Sequence, residues 1–430
     1  MAKNTNISLR SKLIYQVFVR NHSDKGDFQG LIEDLDRIKN LSVDFLYLMP
    51  IHPISKKNRK GTLGSSYAIA DYYGINAEYG TLEDFCLLID EVHKRDMQLW
   101  IDVVFNHSGC DNVWVEKHPE YYYRDSKGNF GNKIGEWIDV YDLDFNNEEL
   151  QNELIKVLEY WTKLGVDGYR CDVASLVPLK FWQKVDIEIK KINHNIVWLA
   201  ESVHLQFVDS ARMAGFTALS DSELYEVFDI EYNYDVHNEY LGYFKKENTL
   251  LEYKKAIYRQ QCIYPDNFIK TYCLENHDLE RIHSLTKGDK AKTLNWLAYS
   301  FFIKGTAFVY AGQESFTEKF CDQFEDNKIN RDFDDNYCKL IRKLKELKNL
   351  PEVIAGKMEI DQNDDEVIRL KYHGENKIIV GIFNVGQVNG KYNIDIKKGV
   401  YKNMLNGQDI IVENNELSLS SEPMIFAVAR

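Results

Sequence analysis

The feature that most constrains this chain is a repeated alternation. Short apolar runs without polar alternation are each followed by a polar loop and a segment with apolar residues at three- and four-residue steps. Runs of the first kind stand at 13–18 (LIYQVF), 44–50 (DFLYLMP), 97–105 (MQLWIDVVF), 166–174 (VDGYRCDVA) and 196–202 (IVWLAES), with weaker ones at 217–220, 269–275 and 306–311. Helical spacing is read in Leu31, Leu35 and Ile38 of 28–41, and in Phe85, Leu88, Ile89 and Val92 of 82–95, where Thr81 and Asp84 suit a cap. It recurs in Leu150, Leu154, Val157, Leu158 and Trp161 of 148–164, and in 290–303. Strands apolar on both faces and separated by amphipathic helices make a parallel sheet covered on both sides. About eight such units in about 300 residues predict an α/β fold, a (β/α)8 TIM barrel. A doubly wound open sheet is the rival, disfavoured because no G-x-G-x-x-G follows the first strand.

Two segments break the repeat. Residues 106–147, rich in Tyr, Trp, Asn, Asp and Gly, are too long for an ordinary strand-to-helix loop and predict an inserted subdomain after strand three. After Pro351 the pattern turns to short β-type runs with turn signals at Asn389-Gly390 and Asn406-Gly407, which predict an all-β C-terminal domain, an antiparallel β-sandwich over 351–430. The barrel is then expected over 1–105 and 148–350.

With 53 Lys and Arg against 67 Asp and Glu, the formal charge of −14 repels phosphate backbones and anionic headgroups, so neither nucleic acid nor a membrane surface is expected as a partner. No run approaches the ~20 apolar residues of a membrane span, and the polar N-terminal segment leads to the expectation of a cytoplasmic protein. Seven cysteines without a C-x-x-C pair suggest reduced thiols, not a disulfide framework or a zinc site.

In such a barrel, chemistry sits where the strands end at their C-terminal side, so the polar residues that close the apolar runs are the candidates. Strand three closes in Asp102-Val103-Val104-Phe105-Asn106-His107, strand four in Arg170-Cys171-Asp172, strand five in Glu201, and strand seven leads into Glu275-Asn276-His277-Asp278. Arg170 and Asp172, two apart, share a strand face, and the cation is expected to hold Asp172 ionised, as a nucleophile requires. Glu201 follows Trp198-Leu199-Ala200, an apolar setting that suits a proton donor. Two carboxyls pushed in opposite directions fit glycoside hydrolysis. Each acid taken singly also reads as a loop cap, His107 as a core histidine, Arg170 as a structural ion pair. Trp114, Tyr121, Tyr122, Tyr123 and Trp137 of the insertion read either as a small core or as sugar-stacking rings. A metal-dependent hydrolase using Asn106, His107, His277 and Asp278 is a rival of another class, disfavoured by Arg170 beside the central acid.

The segments DVVFNH (102–107), GYRCDVAS (168–175), AES (200–202) and ENHD (275–278), in this order and at these intervals, resemble the four signature regions of the alpha-amylase family, glycoside hydrolase family thirteen. IYQVFVRNHSD, SSYAIADYYGINAEYGT and GTAFVYAGQE extend the resemblance over roughly 10–320. It implies Asp172 as nucleophile, Glu201 as general acid/base and Asp278 as transition-state stabiliser, with Arg170 positioning Asp172 and Asp102 a structural partner of Arg170. It further implies that His107, His277 and Tyr67 bind the sugar before the cleaved bond, and that the carboxyls of Asp172 and Glu201 lie about 5–5.5 Å apart, the retaining separation. Asn106 and Asp142 match calcium-ligand positions of the family, but Leu176 stands where a ligating histidine is common. A weak or empty calcium site and no required cofactor are therefore expected. Ala68 stands where exo-acting alpha-glucosidases of the family often carry an Asp. The function implied is retaining cleavage of alpha-1,4-glucans or maltooligosaccharides. The alternatives are an alpha-glucan transglycosylase or alpha-glucosidase on the same site, and a non-catalytic scaffold with an amylase-like barrel.

Overall fold

The structure, a computed structural model, describes residues 5–135 and 137–430. Eight strands, β1 (Leu13–Val17), β2 (Phe45–Leu48), β3 (Gln98–Val104), β4 (Gly168–Asp172), β5 (Val197–Ala200), β6 (Ile230–Tyr232), β7 (Lys270–Thr271) and β8 (Gly305–Tyr310), close into one barrel in sequence order. Their pairings are parallel, as the expected α/β barrel requires. Apart from Gln98, every residue of these strands is buried, which explains runs that are apolar without alternation.

The helices begin and end where local chemistry dictates. In α1 (Leu82–His93) the Thr81 hydroxyl accepts the Asp84 N–H while the Asp84 carboxylate accepts the Thr81 N–H, a reciprocal cap. Asn147 caps α2 (Glu148–Leu164), which stops at Gly165, whose φ of 111° is open to glycine. Two expectations are corrected. The segment 28–41 is two short helices, Phe28–Ile32 and Leu35–Asn40, because Asp34 at the break turns its carboxylate to Arg37 at 2.6 Å and to His22 at 2.9 Å. The run 217–220 is not a strand: Ser220 caps the helix Asp221–Leu224, and the sixth barrel strand lies at Ile230–Tyr232 instead.

By internal contacts the chain divides into two compact units. The first is built on Ile14–Asp235 and Cys321–Ile329. In it the segment after β3 forms a small antiparallel hairpin, His107–Gly109 against Val140–Asp142, with His107 opposite Asp142. The second is built on Asn6–Leu13, Val236–Phe320 and Asn330–Arg430. Its C-terminal part is a four-stranded antiparallel sheet of β9 (Lys357–Ile360), β10 (Ile368–His373), β11 (Lys377–Phe383) and β12 (Met424–Ala429), with two further strand pairs, Lys391–Asn393 with Glu416–Ser418 and Gly399–Lys402 with Asp409–Val412. Val380, Ile382, Ile394, Val412, Leu417 and Phe426 bury one core between them. Among the described residues, no helix is long and apolar enough to cross a membrane.

The helix α3 (Leu250–Ile263) is tied to this sheet by a buried cation. The Lys254 ammonium donates to Asp361 Oδ2 at 2.9 Å, Asp365 Oδ1 at 3.1 Å and the Val367 carbonyl at 3.0 Å, with no solvent exposure at Lys254 or Asp361. Removing one partner leaves a buried charge short of compensation. Guanidinium-chloride unfolding of Asp361→Ala should therefore show a loss of about 3–5 kcal/mol, and replacing both Lys254 and Asp361 by apolar residues should cost less.

Candidate active site

Alternate residues of a strand share a face, so Gly168, Arg170 and Asp172 of β4 point one way while Tyr169 and Cys171 point the other. The register of β3 on β4 sets Trp100 opposite Gly168, Asp102 opposite Arg170 and Val104 opposite Asp172. The Trp100 indole fills the layer beneath: a Cβ at Gly168 would come within 2.5 Å of its Nε1, so only glycine fits there.

Arg170 is wholly buried, and three carboxyls converge on its guanidinium. Nη1 donates to Asp102 Oδ1 at 3.0 Å and to Asp172 Oδ1 at 2.8 Å, and Nη2 is in ion-pair contact with Glu201 Oε1 at 3.0 Å. The rings of Tyr67 and Tyr232 lie 5.6 and 5.8 Å from its Cζ, within cation–π range. Asp102 is fixed in turn, because its Oδ2 accepts the hydroxyls of Tyr47 at 2.6 Å and Tyr67 at 2.8 Å. The two Nη1 hydrogen bonds, one to each aspartate, together with the Nη2 ion pair to Glu201 fix the orientation of the Arg170 fork.

One cation among three carboxyls leaves the cluster with excess negative charge. Burial first, and then the charge of Glu201, push the Asp172 carboxyl well above the usual range, against the pull of Arg170. The cation expected to hold Asp172 ionised is thus shared with Asp102 and Glu201. Trp198, from which an apolar setting for Glu201 was expected, does not adjoin it. Trp198 points to the opposite face of β5, where it stacks on Tyr169 and donates to Asp186 at 2.9 Å, whereas Glu201 turns inward to Arg170. Its other oxygen accepts the Val173 N–H at 2.8 Å. Val173 takes φ 43°, left-handed backbone that a β-branched residue resists, and so the residue after Asp172 is held under strain.

Asp172 Oδ2 is buried and has no hydrogen-bond partner among the described residues. His107 Nε2 stands 3.9 Å from it. The Asn106 amide lies 3.2 Å from His107 Nδ1 and donates to it, which leaves the ring proton on Nε2, toward Asp172. Burial above all, with help from Lys60 and Lys133, pushes His107 down to about 3, so the ring is neutral. The Trp137 ring lies 5.5 Å from that of His107 and stacks on Phe207 at 6.1 Å. The other insertion aromatics divide differently: Trp114 packs on Tyr72 and Tyr121, Tyr122 on Phe130 and Tyr141, and Tyr123 meets Phe216. Trp114, Tyr121 and Tyr122 are buried core.

Asn106 and Asp142 also meet, with the Asn106 amide 3.5 Å from Asp142 Oδ1. In the second unit, His277 is buried with Nε2 2.9 Å from Asp278 Oδ2, and the Asp278 N–H is held by Asn276 Oδ1 at 2.8 Å. Glu275 is absorbed structurally, its oxygens taken by Arg281 at 2.6 Å and the Ile282 N–H at 2.7 Å. Sequence reading passed over Tyr47 and Tyr232. The signal at Tyr47 was a hydroxyl inside a fully buried strand, which finds its partner in Asp102, while Tyr232 meets Arg170 through its ring.

A family model described as the alpha amylase catalytic domain matches residues 14–136 and 135–349, and one described as the bacterial alpha amylase C-terminal domain matches 359–426. Among solved structures, an alpha-amylase from Lactobacillus plantarum is similar over 98% of this chain and 100% of its own, at 38% identity and a TM-score of 0.94. A noncanonic maltogenic alpha-amylase from Thermotoga neapolitana covers the same shares at 31% identity and a TM-score of 0.86. Among curated proteins, alpha-amylase 3 of Dictyoglomus thermophilum is 25% identical over 345 residues, 71% of this chain, and the chain spans 64% of that relative's length.

Two buried histidines make acid stability a test of the packing around the site. His52, near the Gly74 carbonyl at 3.2 Å, is lowered by burial to about 4, as His107 is to about 3. A folded pKa below the unfolded one means that stability is full above about pH 6.5 and falls as the pH drops toward the folded value. Each histidine should remove about 2 kcal/mol between pH 8 and pH 5. His52→Gln should lessen that pH sensitivity by about the same amount, read from urea midpoints at the two pH values.

Proposed function

Because the chain belongs to the alpha-amylase family, glycoside hydrolase family thirteen, we propose that it cleaves alpha-1,4-glucosidic bonds of maltooligosaccharides or starch-derived glucans with retention of configuration. The observation that carries this reading is the Arg170 fork: it touches Asp172 and Glu201 together and occupies one Asp172 oxygen while the other stays bare.

In the first step Asp172 Oδ2 attacks the anomeric carbon and forms a β-glycosyl ester, while Glu201 gives its proton to the departing glycosidic oxygen. In the second, Glu201 takes a proton from water, the hydroxyl adds to the anomeric carbon, and Asp172 leaves as carboxylate. Arg170 fixes the Oδ1 side of Asp172, so attack comes from Oδ2. Asp278 stabilises the positive charge that develops at the anomeric carbon. The family resemblance gives the sugar before the cleaved bond to His107, whose Nε2–H is free to donate, to the ring of Tyr67 and to His277. Alanine at position 68 offers no charge to grip a chain end, which favours cleavage within a chain. The likeness to an enzyme described as maltogenic supports short maltooligosaccharides as products.

Turnover of an aryl maltoside should fall by about 10³-fold or more in Asp172→Asn and in Glu201→Gln, and the first product seen by NMR should be the alpha anomer. Asp172→Asn should also unfold at a higher temperature at pH 8 and gain less at pH 4, because a raised carboxyl pKa costs the folded state stability as the pH rises. Equal turnover in wild type and Asp172→Asn would remove the nucleophile assignment. Longer oligomers formed with excess glucose would replace hydrolysis by transfer.

A further inference from the structure

A calcium ion on Asn106 and Asp142, the family expectation, makes a definite demand: about 6–8 oxygens around a hard cation. The residues present do not meet it. Asp142 Oδ2 accepts the main-chain N–H of Lys133 at 2.7 Å, while Oδ1 accepts the Asn132 amide at 3.2 Å and faces that of Asn106 at 3.5 Å. The next carbonyl, that of Leu143, accepts the Lys133 ammonium at 2.7 Å. Leu176 brings an aliphatic side chain. Among the described residues, no group of three or more His, Cys, Asp or Glu is arranged to hold a metal.

Lys133 thus grips this point twice, its N–H on Asp142 and its ammonium on Leu143, with the charges of Asp142 and Asp144 attracting it. The same two residues join the insertion to the barrel. The Leu143 N–H donates to the Asn106 carbonyl at 2.9 Å, and Asp142 pairs with His107 across the hairpin. Asn106 Oδ1 is buried without a partner among the described residues, so its amide nitrogen alone is in use, toward Asp142 and His107 Nδ1.

We propose that the Lys133 ammonium is a built-in cation that locks the insertion to the end of β3, so that the placement of His107 needs no metal ion. A tethered charge satisfies the Leu143 carbonyl and offsets Asp142 without leaving the site.

Thermal unfolding tests this independently of the catalytic reading. The wild-type unfolding temperature should be the same in millimolar calcium and after exhaustive chelation. Lys133→Met should unfold about 2–4 °C or more lower in both conditions. Lys133→Asp, which adds a carboxylate beside Asn106 and Asp142, should gain a rise with calcium that wild type lacks. A wild-type unfolding temperature that falls on chelation and returns with calcium would overturn the proposal, as would Lys133→Met unfolding where wild type does. The wild-type arm decides even where a variant fails to fold.

Discussion

The site hangs on one buried guanidinium. A charge without water costs several kcal/mol unless partners surround it, and Arg170 finds them on three neighbouring strands: Asp102 on β3, Asp172 on β4 and Glu201 just past β5. Parallel register makes this possible, since it sets Asp102 beside Arg170 and brings the end of β5 level with the end of β4. A one-residue slip of β4 would turn Arg170 outward and Tyr169 or Cys171 inward. The barrel therefore does more than present the acids. Its hydrogen-bond ladder fixes which carboxyl oxygen is occupied and which remains free to react.

The same arrangement is locally unfavourable. Asp172 is pushed toward its protonated form by burial and by Glu201, and Val173 is strained in left-handed backbone. Both costs fall within two consecutive residues, and both lie at the site: the first at the carboxyl whose Oδ2 has no partner among the described residues, the second at an N–H aimed at Glu201. Surrounding layers such as Trp100 against Gly168, and the Tyr47 and Tyr67 hydroxyls on Asp102, offset that local cost with well-packed neighbours.

What could be read in the sequence follows from what is anomalous there. Polar residues closing long apolar runs stand out, so Asp102, Arg170, Asp172 and Glu201 were legible as a set. Their electrostatics were not, because neighbours along a strand face opposite ways. Trp198 and Ala200 say nothing of what surrounds Glu201, and the cation that serves Asp172 also serves two other acids. The sixth strand was hidden because Glu231 interrupts its apolar pattern, while the uncharged stretch 217–220 read as a strand. The ring-rich insertion gave the right residue types without their division into buried core, as Trp114 and Tyr122, and a ring beside the site, as Trp137.

Lys133 was illegible for a further reason: a single lysine in a polar loop forms no pattern, and its meaning lies wholly in the two groups it reaches. A metal at such a joint fills its site only to the extent that its concentration outside the protein allows, and the stabilisation it gives varies with that occupancy. A lysine ammonium is covalently present at every concentration, and its ordering cost is met once, on folding. The trade is in strength, since one ammonium makes at most three hydrogen bonds where a calcium ion gathers more oxygens. That trade suits this joint, because the hairpin of His107–Gly109 with Val140–Asp142 and the main-chain bond from Leu143 to Asn106 already carry much of the attachment. The cation has only to settle the carbonyl and carboxylate left between them.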